Sequence, residues 1–177
     1  MKNQSSKTGA GVLYIAQAGV IAAIYVVLTM AINVFNLASG AIQVRISEAL
    51  CILPYFTSAA IPGLSIGCLL ANLLTGAPIW DVIFGTLATL IGAIFSYMLR
   101  KHKFLVTVPP VVANMLIIPF VLYYAYGYKL AWVVGGVDLS IPFYMVTVGI
   151  GEVISVMILG TILLRALEPV KNHIFRK

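Results

Sequence analysis

The sequence predicts an all-α membrane protein with six transmembrane helices, and three observations support this fold class. Apolar residues make up 62% of the 177 residues, whereas charged residues make up only 9%. The mean hydropathy of +1.07 lies well outside the range of soluble globular domains. The apolar residues also form runs separated by turn residues, and each crossing of a bilayer takes about 20 residues. We therefore expect residues 1–177 to form a single integral membrane domain.

Six apolar runs predict the individual spans. They lie at 12–35, 44–58, 62–74, 80–99, 104–126 and 142–164. The first run is too long for the core of a signal peptide, so we expect it to remain as a span. The second is the weakest because its uninterrupted apolar stretch is short. A re-entrant hairpin in place of the second and third spans would preserve the same topology.

The basic residues predict the orientation in the cell membrane. With a cytoplasmic N-terminus, six spans also place the C-terminus inside, and only Arg45 and Lys129 fall outside. The nine basic residues then inside are Lys2, Lys7, Arg100, Lys101, Lys103, Arg165, Lys171, Arg176 and Lys177. This split agrees with the positive-inside rule. The net charge of +6 is therefore interpreted as a topology signal in a lipid bilayer and not as a nucleic-acid patch.

Charged and polar residues, which are costly to bury in a membrane, are concentrated between Gln43 and Asp81. This stretch holds Arg45, Glu48 and Asn72, together with three prolines, in a chain that is otherwise almost wholly apolar. Charge and irregular backbone are tolerated at membrane depth only against protein or a water-filled cavity. The stretch therefore predicts a polar pocket walled by helices.

Glu152 is the strongest single candidate for a binding residue. It lies about ten residues into the last span, roughly 15 Å at helical rise, and so near the bilayer midplane. A carboxyl group at that depth faces a cavity or stays neutral. The alternative is a protonated side chain bonded to a neighbouring helix. Gly149 and Gly151 beside it would let a flat ligand or another helix approach closely.

The remaining candidates each have a structural alternative. Arg45 and Glu48, three residues apart, would form an ion pair at a helix end if they do not contact ligand. Asp81 begins a span, where a carboxylate also complements the helix N-terminus. Asn72 and Asn114 offer donor and acceptor groups that suit a heterocycle, and interhelical bonding is as reasonable for each.

A stripe of small residues in the first span has two interpretations. Ala18 and Ala22, and likewise Gly19 and Ala23, are spaced by four, which lets another helix approach closely. The neighbouring helix is either in the same bundle or in a separate membrane subunit.

Several chemistries are absent from the sequence. It contains no GxxxxGK[ST] phosphate loop, no HExxH and no GxSxG motif, and no catalytic constellation is recognisable. Cys51 and Cys68 lie in apolar runs without a CxxC or Cys/His cluster, so we expect buried free thiols and no metal or cofactor.

The stretches QVRISEALCILPYFTSAAIPGLSIGCLLAN, DVIFGTLATLIGA and VGIGE resemble the QueT family of substrate-binding S components of energy-coupling factor (ECF) transporters. The resemblance covers nearly all of the chain. It implies a six-helix S-component fold, uptake of a queuosine precursor and a partner module of one membrane T subunit and two ATPases. The precursor is an aminomethyl- or cyano-deazaguanine. The stripe at Ala18, Gly19, Ala22 and Ala23 is similar to the motif that docks on the T subunit.

A deazaguanine fits the candidate residues. Its edge presents adjacent N–H donors, which carboxylates accept in pairs. Glu152, Glu48 and Asp81 are therefore expected to contact it, with Asn72 and Asn114 at the remaining polar edges. Arg45 would hold Glu48 or help to close the outer loop. Two other functions stay open: an S component for another vitamin-like molecule, and a small ion-coupled carrier in which Glu152 is a proton site.

Overall fold

The structure, a computed structural model, describes residues 2–34, 45–130 and 133–175. Its α-helices are α1 (Lys2–Val34), α2 (Ala60–Leu74), α3 (Ile79–Met98), α4 (Val108–Phe120), α5 (Ser140–Glu152), α6 (Gly160–Leu167) and α7 (Lys171–Ile174). A 3₁₀ helix (Ile46–Tyr55) precedes α2, and a small hairpin of β1 (Val133–Val134) and β2 (Val137–Asp138) precedes α5. The predicted loop at 36–43 and the tail residues Arg176 and Lys177 lie outside the described residues.

Short non-α stretches extend the helices into longer rods. A 3₁₀ turn at Leu105–Thr107 leads into α4, whose first turn holds two prolines where a missing N–H costs little. A π-helical segment at Val121–Ala125 continues α4. A second π-helical segment, Val153–Leu159, joins α5 to α6.

Four helical rods in the described residues are long and apolar enough to cross a bilayer. They are Gly9–Asn33, Ile79–Met98, Leu105–Ala125 and Ser140–Ile174, which agree with the first, fourth, fifth and sixth predicted spans. The 3₁₀ helix has 10 residues and α2 has 15. At about 2.0 and 1.5 Å per residue, neither reaches the roughly 30 Å of a hydrocarbon core. The chain is a helical, multi-pass membrane protein, and the count of six spans stays a prediction.

The 3₁₀ helix forms the centre of the bundle. Every residue from Ser47 to Pro54 is buried, and the helix packs against α1, α2, α3, α6 and the second π-helical segment. An element that is apolar on all sides is stable only when it is surrounded. Glu48 and Ser47 therefore enter the core with the apolar residues of this helix.

Helices α1 and α2 pack with almost no side chain between them. A Cβ added at Gly63 would lie 2.8 Å from the carbonyl oxygen of Ala18, and one at Gly67 would lie 2.8 Å from Tyr25 Cβ. Ala22 is buried in the same contact. Ala18 and Ala22 thus serve packing within the chain, the first of the two interpretations of the stripe.

Gly19 and Ala23 form the exposed half of the stripe. Both residues are exposed, and a Cβ added at Gly19 would meet nothing within 4 Å in the part of the chain that the structure describes. Docking of a separate subunit on these two residues stays a prediction.

We expect Gly67→Ala to destabilise the protein by about 1–3 kcal/mol, the usual cost of overpacking a tight contact. The added methyl group cannot fit between α1 and α2 without backbone movement. Thermal unfolding in detergent micelles measures the effect. Gly19→Ala is the matched control and should lose no stability, so an equal loss in both variants would contradict the close contact.

Candidate functional site

A cavity lies between the 3₁₀ helix, α3, α4 and α5. Its lining residues follow rows with a spacing of three or four, which places each row on one helix face. The rows are Arg45 and Glu48; Asp81, Gly85 and Thr89; Asn114, Ile118 and Leu122; and Val148 and Glu152. Five of the six predicted binding residues therefore meet at one cavity, although they are far apart in the sequence.

Glu48 is held by two donors behind the cavity. Tyr25, buried in α1, donates its hydroxyl hydrogen to Glu48 Oε1. The thiol of Cys51, one 3₁₀ turn further on, donates to Glu48 Oε2 at 3.0 Å. Both carboxyl oxygens thus have a partner within the protein, which offsets much of the cost of burying the group.

The ion pair that was the alternative interpretation of Arg45 and Glu48 does not form between these two described residues. Among the described residues, the ion pair that forms is Lys103–Glu168, far along the chain from this cavity. Arg45 lines the cavity, and its backbone N–H donates to Ser155 Oγ at 3.1 Å. The physical reason is that Tyr25 and Cys51 already hold the Glu48 carboxyl group.

Asn72 supports the site from behind. Its Nδ2 donates to the carbonyl oxygen of Asp81 at 3.2 Å and lies 3.6 Å from Cys68 Sγ. Asn72 is absent from the cavity lining, so its part is the interhelical bond that was the alternative interpretation. Asp81 lines the cavity and also lies in the first turn of α3, where a carboxylate complements the helix N-terminus. Its position therefore agrees with both interpretations.

Two buried polar atoms at the cavity form no hydrogen bond of normal geometry in the described part of the chain, although the two side chains that carry them lie close enough to interact with each other. They are Glu152 Oε2, an acceptor when ionised, and Asn114 Nδ2, a donor. The side chains are only 9% and 6% exposed. Unpartnered buried polar groups cost about 1–3 kcal/mol each. Such a pair is typical of a site that a ligand completes.

The cavity is small, and both acidic and apolar side chains line it. Its volume is about 40 Å³, whereas an engineered cavity of about 150 Å³ binds benzene. Ile118, Leu122 and Val148 form an apolar wall opposite the acidic side chains. A flat, polar-edged ring suits these walls, and they must move apart to admit it.

The described residues contain no cluster of three or more His, Cys, Asp and Glu side chains suited to a metal ion. Cys51 and Cys68 are buried free thiols, as predicted. The arrangement offers acceptors, donors and an apolar wall, which is the chemistry of binding.

Comparison with known proteins gives the family. A family model described as QueT transporter matches residues 15–169, which is most of the chain. The chain belongs to the QueT transporter family. The resemblance of its motifs to that family is thus confirmed.

One curated relative is the "Queuosine precursor transporter QueT" of Lactococcus lactis subsp. cremoris (strain MG1363), 39% identical to this chain over 72 residues. The alignment covers 41% of this chain and 42% of the relative, so it spans less than half of that protein's length. No solved structure matches the chain.

The cavity also contains residues that the sequence reasoning missed. Gly85, Thr89, Ile118, Leu122 and Val148 all line it. Each of them lies four or eight residues from a predicted polar residue on the same helix, so helical spacing from those residues would have found them.

Tyr25 was also missed. It lies inside an apolar run, and nothing in that run distinguishes its hydroxyl as a partner for Glu48.

Asp138 fixes the start of α5, the helix that carries Val148 and Glu152. Its Oδ1 accepts from the backbone N–H of Ser140 at 2.8 Å and from Ser140 Oγ at 2.6 Å, and its Oδ2 accepts from the Tyr123 hydroxyl at 2.9 Å. The hydrogen bonds from Ser140, followed by that from Tyr123, lower the pKa of the Asp138 carboxyl group below its ordinary value.

The Asp138 contacts predict a pH-dependent stability difference. A depressed pKa in the folded state stabilises the protein above the unfolded-state pKa of about 3.9, and this contribution is lost as pH falls through the folded-state pKa. We expect Asp138→Asn to unfold at a lower temperature than the parent at pH 7, with a smaller difference between the two proteins at pH 3. Thermal unfolding at both pH values measures this, and an unchanged difference would contradict it.

Proposed function

We propose that this protein is the substrate-binding S component of an ECF importer for a queuosine precursor. The observation that carries the proposal is the cavity in which Glu152 Oε2 and Asn114 Nδ2 form no hydrogen bond of normal geometry. Membership of a transporter family supports the transport role. The name of the Lactococcus relative supports the choice of substrate.

The two unpartnered atoms fit one edge of a deazaguanine. A ring N–H of the base would donate to Glu152 Oε2, and the adjacent carbonyl oxygen would accept from Asn114 Nδ2. Ile118, Leu122 and Val148 would cover the ring face. The base would thus replace the missing partners on both polar atoms.

The remaining acids suit a substrate with a cationic arm. Glu48 and Asp81 face the same cavity as Glu152. An aminomethyl ammonium group gains from a carboxylate most where water is excluded. Arg45 would close the site beside Glu48, and Asn72 would act indirectly by holding the backbone of Asp81.

The energy for uptake would come from partner subunits. The sequence has no phosphate-binding loop of the P-loop type. We therefore assign ATP hydrolysis to two ATPases, linked to this chain by a membrane T subunit. The exposed residues Gly19 and Ala23 are proposed to contact that subunit. Both termini would lie in the cytoplasm, with six helical segments in the S-component arrangement.

Calorimetric titration of the purified protein tests the binding role. We expect tight binding of aminomethyl-deazaguanine, weak binding of guanine, and at least tenfold weaker binding of the deazaguanine to Glu152→Gln. A hydrogen bond to a charged group contributes about 1.5–3 kcal/mol, which supports that size of loss. Glu168→Gln is the matched control, because its side chain pairs with Lys103 outside the cavity and should leave binding unchanged.

Each other result of the titration is informative. Full binding by Glu152→Gln would preserve the function and move the contact to Glu48 and Asp81. Absence of binding to both the aminomethyl and the cyano form would overturn the queuosine-precursor proposal.

Uptake of labelled precursor tests the partner module. We expect uptake only when the T subunit and both ATPases are co-expressed. Gly19→Leu should reduce uptake toward background while binding is unchanged, because the new side chain extends from an exposed position. Gly11→Leu, also exposed on α1, is the control. Uptake that follows a proton gradient without the ATPases would instead identify an ion-coupled carrier.

A further inference from the structure

The buried hydroxyl of Tyr25 has an unusual location for a membrane helix. Tyr25 lies in α1, the least buried of the four spanning rods, yet its side chain is only 1% exposed. It reaches the 3₁₀ helix and donates to Glu48 Oε1. Nearby, Thr29 Oγ1 donates to the Tyr25 carbonyl oxygen at 2.9 Å and lies 2.8 Å from Ser47 Oγ. The hydroxyl thus belongs to an ordered polar contact between two elements.

A competing contact is available to Glu48. Arg45 directly precedes the 3₁₀ helix in an extended conformation and lies three residues before Glu48. Both side chains line the cavity. An isolated carboxylate at this position would be expected to pair with the guanidinium group, which offers five donors. No such ion pair forms between these two described residues.

The donors on Glu48 differ in strength. A hydroxyl that donates to a carboxylate forms one of the stronger hydrogen bonds in proteins, whereas a thiol is a weak donor. Cys51 alone is therefore a poor competitor for Arg45. Tyr25 is the group that keeps the Glu48 carboxylate turned toward α1.

We propose that Tyr25 is a positioning residue for the binding site: it keeps Glu48 from pairing with Arg45 and so leaves both side chains available to a ligand. This inference rests on the proposed function, because it concerns how the same cavity is kept ready for a donor-rich or cationic substrate. Without the hydroxyl, Glu48 and Arg45 pair with each other at the cavity wall, and the substrate must break that pair before it binds.

A double-mutant cycle tests the positioning role. We expect Tyr25→Phe to weaken aminomethyl-deazaguanine binding about 10-fold, a loss typical of a hydrogen bond to a charged group. The same change in an Arg45→Gln background should weaken binding less than about 2-fold, because the competing cation is gone; contacts of this kind are not additive. A merely structural role of Tyr25 would give the same loss in both backgrounds, and that result would overturn the proposal.

Tyr14→Phe is the matched control. It removes an exposed hydroxyl of the same helix, which contacts the carbonyl oxygen of Ser58 at 3.4 Å, and should leave binding unchanged. Failure of the parent protein to bind would count against the proposed function. In that case, a structure of the Tyr25→Phe variant tests the positioning role without a binding measurement. The same structure is the test if Arg45→Gln by itself abolishes binding. An Arg45 nitrogen within about 4 Å of a Glu48 oxygen is expected, and an unmoved Glu48 overturns the proposal.

Discussion

The contact between Tyr25 and Glu48 meets the main physical constraint on this fold, the burial of a carboxyl group at the centre of an apolar bundle. Glu48 lies in the 3₁₀ helix, whose residues from Ser47 to Pro54 are all buried. A carboxylate in such a place is tolerated only with donors around it. The donors come from α1 and from Cys51 on the same 3₁₀ helix. This contact therefore links α1 to an acid of the cavity lining, alongside the close packing of α1 against α2.

The cavity lies where regular helices give way to π-helical segments. Leu122 lies within the segment Val121–Ala125, and Glu152 directly precedes Val153–Leu159. A π-helical turn bonds residue i to i+5 and is frequent at functional sites. After a π-helical turn, the following side chains also face a different direction from the one they would face if the α-helix continued. The helices therefore change the direction in which their side chains face next to the cavity.

Much of the fold could be predicted because long apolar runs leave few alternatives. The spans at 80–99 and 104–126 lie within a residue or two of the observed rods Ile79–Met98 and Leu105–Ala125. Buried charge was an equally strong signal, since Arg45, Glu48, Asp81, Asn114 and Glu152 all reach one cavity.

The partners of these side chains could not be predicted. Sequence spacing left an Arg45–Glu48 pair as an alternative, and the donor that Glu48 uses, Tyr25, is 23 residues away. Likewise, spacing marked four small residues on α1 without showing that Ala18 and Ala22 contact α2. Contacts between residues far apart in the sequence decide such partners.

The small size of the cavity has a kinetic consequence. A volume of about 40 Å³ admits no bicyclic base, so the cavity walls must open before capture. The association rate of such a ligand would then level off at high concentration, because the opening step and not diffusion sets the limit.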